Sequence, residues 1–169
     1  METALANGAS PLRRRQAALR AISLGQAFGW TGPRAGFAQY AYGRLQMGND
    51  ASTALTAFNP ARKAYGQDSS MRIHAVHIAV QQAAFSLASG DAETTIKLVD
   101  AGMDVAERHQ NAALLATLMM FKATVLDMRG DTAQAESLRL DSLGWARYGF
   151  GSDQNVQARL DEIAALRPF

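Results

Sequence analysis

A chain of 169 residues, 48% of them apolar, is long enough for one domain with a sizeable core. It has no cysteine, which excludes disulfide and thiolate chemistry, and no uncharged apolar run of about 18 residues that would read as a membrane span. The net charge of +2 is unevenly divided: nine Lys or Arg against three acids over residues 1–84 (+6), and eight against twelve over residues 85–169 (−4). No basic start leads into an apolar secretory core, so the expected compartment is the cytoplasm, or the periplasm if a leader has been removed ahead of Met1.

Residues 1–9 carry no helical pattern and are expected to be disordered. Ser10 and Pro11 form a cap and first-turn pair opening a helix to about Phe28, with Leu12, Leu19 and Ile22 on its apolar side. After the corner FGWTGP, Pro33 starts a second helix to about Met47, with an apolar stripe of Phe37, Tyr40, Ala41 and Leu45. A third helix begins at Asp50, and Pro60, which cannot donate its amide, predicts a kink or break near Asn59. Ser69 or Ser70 is the expected cap of the fourth helix, where Ile73, Val76, Val80, Ala83 and Leu87 recur at helical spacing.

The fifth helix, Asp91 to about His109, places Ile96, Val99, Met103 and Ala106 inward and Lys97, Asp100, Asp104, Glu107 and Arg108 outward. The sixth, Asn111 to Arg129, is apolar round most of its circumference and should be enclosed. Asp131 with Gln134 resembles a capping box at the seventh helix, which ends in WARYGFG, where Gly149 and Gly151 permit a reversal. An eighth helix after Ser152 has Val156, Leu160 and Ile163 on one side, as a terminal cover would.

A Gly-Asp pair at Gly90 and Asp91 recurs at Gly130 and Asp131 and, as Asn49 and Asp50, earlier in the chain, so the corners lie 41 and 40 residues apart. At such a corner Gly or Asn closes one helix in the left-handed conformation and Asp caps the next. Five residues beyond it stand Ala54, Thr95 and Ala135, twelve beyond stand Ala61, Gly102 and Ser142, and seven before stand Tyr42, Ala83 and Ala123. Apart from Tyr42 these residues are small, which lets paired helices approach closely.

With this pattern, residues 33 to 148 resemble the tetratricopeptide-like helical repeats, in the longer form near 40 residues seen in helical arms of some bacterial regulators. The usual Trp, the repeated Tyr pairs and the Pro closing each second helix are mostly missing. The resemblance implies a single all-α domain over residues 1–169, a short α-solenoid. Its parts would be a basic N-terminal helix within 10–32, about three helical hairpins within 33–148 and a capping helix over 152–169.

The search for chemistry returns little. His74 and His77, three apart, could share a metal, but no third ligand accompanies them, so no metal site is expected. Asp100, Asp104 and Glu107 share a face with Lys97 and Arg108 beside them, which reads as paired solvent charge. No phosphate-cradling Gly loop, nucleotide fingerprint or nucleophile elbow is present. The expectation is therefore a non-catalytic interaction domain without cofactor, binding another protein as a peptide or amphipathic helix.

In the repeat family's geometry a concave groove would present Gln39, Gln46, His77, Val80, Leu87, Met120, Thr124 and Asp127, unless these side chains are ordinary inter-repeat core. The Lys and Asn arrangement that family members use to clamp a terminal carboxylate is missing. An alternative is a regulatory or sensory module of a bacterial transcription regulator that binds a small effector, or nucleic acid through Arg13, Arg14, Arg15 and Arg20. No aromatic interleaving supports base stacking, so nucleic acid ranks behind a protein partner.

Overall fold

A computed structural model describes residues 10–165 of the chain. The described residues form eight α-helices and no strand: α1 (Pro11–Ala27), α2 (Gly32–Gln46), α3 (Ala51–Gly66), α4 (Arg72–Ala88), α5 (Ala92–Arg108), α6 (Ala112–Met128), α7 (Thr132–Phe150) and α8 (Asp153–Ala164). The all-α expectation holds, and each helix starts and stops close to its sequence signals. The disorder expected over residues 1–9 lies outside the described residues, as do residues 166–169 of the expected capping helix.

The helices fall into two compact units, Met1–Ile78 and Ala79–Phe169, and α4 contributes its first part to one and its second part to the other. In the first unit α2 packs against both α1 and α3. This approach is tight: a Cβ added to Gly43 would stand 2.6 Å from Cε1 of Phe58, which is fully buried. The expected apolar stripe of α2 is accordingly displaced. Gly36, Ala38, Gly43 and Gln46 are its buried residues, while Phe37 is exposed.

The same correction applies to α1, whose buried residues are Ala18, Ala21 and Gly25, with Leu12 and Leu19 facing outward. A helix that presents only small side chains to its neighbour can come closer to it, and its larger side chains are then turned away.

Pro60 does not break α3, which runs unbroken through it. Pro60 and Thr56, four residues earlier, are both exposed, so water can take the carbonyl that the proline ring leaves unpaired. The cap before α4 is also other than expected. Asp68, not Ser69 or Ser70, accepts from the Ser70 amide at 2.9 Å and opens a single 3₁₀ turn, Ser69–Met71, that leads into the helix.

In the second unit α6 packs against α5, α7 and α8, and its enclosure follows from the apolar residues round its whole circumference. The small positions singled out by the repeat are where the chain needs them. Ala54, Thr95 and Ala135 are each fully buried, as are Ala61 and Ser142, and Gly102 is buried too. The two hydroxyls among them bond to their own helices, Thr95 Oγ1 donating to the Asp91 carbonyl at 2.8 Å and Ser142 Oγ to the Arg139 carbonyl at 2.7 Å. Each occupies a small site at no hydrogen-bond cost.

The corners have a finer period than the sequence pattern suggested. Gly90 (φ 78°) and Gly130 (φ 86°) are left-handed, and so is Gln110 (φ 52°), twenty residues from each. At all three the next residue donates its amide five residues back: Asp91 to Ser86 (2.8 Å), Asn111 to Ala106 (2.9 Å) and Asp131 to Leu126 (2.9 Å). This bond is the signature of a Schellman stop. The first corner is built differently, because Asn49 is not left-handed; its amide and that of Asp50 both donate to the Gln46 carbonyl, at 2.9 and 2.8 Å.

Side-chain caps follow the sequence at Asp50, Asp91 and Asn111, which accept from Thr53, Thr94 and Leu114 amides at 3.0, 3.0 and 3.1 Å. Asp131 makes no side-chain cap bond, so the expected capping box with Gln134 does not form. Gly149 is not at a reversal either. It lies inside α7, where an added Cβ would stand 2.3 Å from the Ala113 amide nitrogen at the start of α6; Gly151 (φ 76°) ends the helix.

These features predict an ordered set of stabilities, read from thermal melts. Gly149→Ala should be the most damaging, because backbone must move, at about 1–3 kcal/mol or more. Gln110→Gly should stabilise by up to about 1 kcal/mol by removing a non-glycine left-handed residue. Gly144→Ala, inside α7 with open space about it, should stabilise by about 0.4–1 kcal/mol.

Acid should weaken the fold in a definite window. Hydrogen bonds from the Thr53, Ser70 and Thr94 side chains, followed by those from their amides, hold the Asp50, Asp68 and Asp91 carboxyls below the ordinary value. A depressed folded-state pKa contributes stability that is present above the unfolded value, about 3.9, and lost as pH falls through the folded one. Asp91→Asn keeps a cap acceptor without the titration, so its melting temperature should fall less steeply below about pH 4 than that of the natural chain.

Candidate interaction surface

The residues expected to form a groove are mostly enclosed. Gln46, Val80, Leu87, Met120 and Thr124 are all buried. The Thr124 hydroxyl donates to the Met120 carbonyl at 2.9 Å and is satisfied within its own helix. The surfaces of these five residues are therefore taken up by intramolecular packing, which favours the core interpretation over an open groove. Gln46 carries a cost, since its Nε2 has no hydrogen-bond partner among the described residues.

The remaining three are more accessible. Gln39 lines a small crevice of ≈ 140 Å³ between α1, α2 and α3, with Trp30 and Pro60. His77 is exposed on α4; partial desolvation of its ring, then the charge of His74, lowers its pKa. Asp127 is half-buried and accepts from Arg139 on α7 at 2.6 Å.

Met120 and Thr124 come together with Arg139, Gln157, Leu160 and Ile163 around a cleft of ≈ 320 Å³ between α6, α7 and α8. Its polar groups are already engaged: Arg139 with Asp127, Thr124 with its own helix, and Gln157 Nε2 with Asp161 at 2.8 Å. Nothing convergent is left over to orient a ligand.

The four arginines of α1 do not make one patch. Arg13 and Arg20, seven residues apart, share a side; Arg15 lies on another, and Arg14, half-buried, is turned to a third. Among the described residues none of them forms a close ion pair, although the charge of Arg15 adds a small part to the lowering of the Asp50 carboxyl. His74 sets its ring edge-on to Tyr65, with centroids 6.3 Å apart. Among the described residues no group of three or more His, Cys, Asp or Glu could hold a metal. Among the described residues no helix is long and apolar enough to cross a membrane.

The surface that sequence reading passed over is the outer side of α7. Its buried residues are Ala135, Ser142 and Ala146, all small and each fully enclosed. Leu140, Gly144 and Tyr148 recur four residues apart, about half a turn away, with Asp141 and Trp145 beside them. Leu140 is 64% exposed, Trp145 45% and Tyr148 84%. The helix is thus largely inverted: its fully buried side chains are small, Leu140, Trp145 and Tyr148 stand in water, and Leu138 and Phe150 are half-buried. The signal was available, since Ala135 and Ser142 are repeat positions and the side opposite them reads off the same helical period.

A scan of protein-family models finds no match to the chain, and a search of curated proteins finds no relative.

Packing and groove roles separate by experiment. Val80→Asp and Leu87→Asp should lose cooperative unfolding altogether, because an unpaired charge enters the core. Gln46→Met should instead raise the melting temperature, by removing an unpartnered buried amide worth about 1–3 kcal/mol.

Proposed function

We propose that this chain is a non-catalytic interaction domain built of tetratricopeptide-like helical repeats, and that its contact surface is the outer face of α7. The observation that carries this reading is the inversion of that helix. An isolated exposed leucine is ordinary, but Leu140 and Tyr148 on one side with Trp145 next to Tyr148, in a helix whose fully buried residues are all small, make an apolar patch that the described residues leave largely exposed.

Trp and Tyr combine a large apolar body with one hydrogen-bonding group, the chemistry enriched at the centres of protein interfaces. Gly144 between them leaves room for the backbone of an incoming helix. The partner class that suits this face is an amphipathic helix laid along α7.

The test is an affinity capture from the source cell, comparing the natural chain with Leu140→Glu/Tyr148→Glu and with Arg13→Glu/Arg15→Glu, all checked for helical content. The expected result is that binding proteins held by the natural chain are lost with the first variant and kept with the second. Identical capture by all three, or loss only with the arginine variant, would overturn the assignment to α7.

A further inference from the structure

The face of α7 is complementary to itself. Counting outward from Gly144, Leu140 lies four residues before it and Tyr148 four after; Asp141 lies three before and Arg147 three after; Leu143 and Trp145 flank it directly. All six are exposed, and Gly144 stands opposite the buried Ala135, Ser142 and Ala146.

When two such helices lie antiparallel about a two-fold axis at Gly144, each residue before the glycine comes level with its counterpart after it on the other copy. Facing levels then join apolar to apolar (Leu140 with Tyr148) and acid to base (Asp141 with Arg147), while Leu143 and Trp145, each about 100° round the helix from Gly144, lie outside the contact. Like charges meet nowhere along these turns. We propose that the occupant of the α7 face is a second copy of this chain, paired antiparallel through α7 with the two Gly144 backbones at the crossing point.

This inference rests on reading that face as a docking surface and names its partner. Charge complementarity and the glycine carry it together. Arg147 already pairs with Asp153 at 3.1 Å, but both side chains are largely exposed, and a surface pair of that kind is weak enough to re-form with Asp141 of another copy. Among the described residues the glycine has no neighbour within 4 Å of where its Cβ would be, so packing against them does not require it. At a helix crossing it lets two backbones meet at short range. A single helix pair buries less than the roughly 1,200 Å² of a standard stable complex, so the dimer should form and dissociate in the micromolar range.

The experiment uses the full chain. Sedimentation velocity over a wide concentration range should show a monomer–dimer equilibrium. Leu140→Glu/Tyr148→Glu should weaken it by ~30-fold. Gly144→Leu should weaken it comparably while the melting temperature of the monomer is kept or raised, a combination that a purely structural glycine would not give. Asp141→Arg and Arg147→Asp should each weaken the dimer, and together restore it.

Because the chain has no cysteine, Gly144→Cys gives a single thiol. A short bis-maleimide should link two copies through it far more than through Ala101→Cys on the exposed side of α5. A chain that stays monomeric, a dimer indifferent to these changes, or linkage no greater at residue 144 than at residue 101 overturns the inference. If the chain is monomeric and yet captures a different protein only with α7 intact, the interaction reading stands and the self-pairing falls. If neither self-pairing nor face-dependent capture is found, both fall.

Discussion

Close approach between helix backbones is the constraint from which the rest of this structure follows. Ala54, Thr95 and Ala135, five residues beyond their corners, are wholly buried, and Gly43 and Gly149 leave no room even for a methyl group. Where Gly149 stands against Ala113, contact is backbone to backbone. A helix that meets its neighbours through such residues contributes little apolar area from its own side chains, and bulky residues must be supplied by the other partner. In the second unit α6 supplies them: Leu114, Leu115, Leu118 and Phe121 are all buried. Removing one of them would cost more than removing any residue of α7 that faces the core.

Helix length is set with similar economy. Three successive Schellman stops at a spacing of twenty residues give α5 and α6 the same length, 17 residues each. Two of the stops use glycine, as the left-handed conformation prefers. The third uses Gln110, which pays a steric penalty there. The stop survives because its neighbours determine it: Asn111 donates its amide to Ala106, and its side chain caps α6. A corner held from both sides tolerates one unfavourable residue.

The same economy in α7 produces the exposed face on which the proposed function rests. Small residues inward leave the large ones nowhere to go but outward, so Leu140, Trp145 and Tyr148 are a consequence of how this helix packs as much as an addition to it. What raises the face above a by-product is the arrangement around Gly144, with acid and base placed symmetrically about it. Packing explains why apolar residues are outside; it does not explain why acid and base are placed about Gly144 in this way.

Helix number, order and most boundaries were readable from the chain itself, because caps such as Ser10, Asp50 and Asp91 and stops such as Gly90 and Gly130 act through their own few neighbours. The full enclosure of α6 was readable too, since a helix apolar all round has only one stable environment. Which side of a mixed helix is buried was not. Leu12, Leu19 and Phe37 were assigned inward by hydrophobicity, whereas the structure buries Ala18, Ala21, Gly36 and Gly43 beside them. That choice belongs to pairs of helices, because the gain from backbones meeting closely appears only when the partner surface is present.

Whether the candidate groove is open was unreadable for a related reason. Periodicity places Val80, Leu87 and Met120 on a common kind of position but is silent on whether another helix covers it, and here they are buried. The composition and spacing of this chain determined that it would be helical, where each helix would turn, and which small residues would touch. Only the tertiary structure decided which apolar side chains were left in water, because exposure is a property of what stands opposite a residue and no residue carries that in its own name.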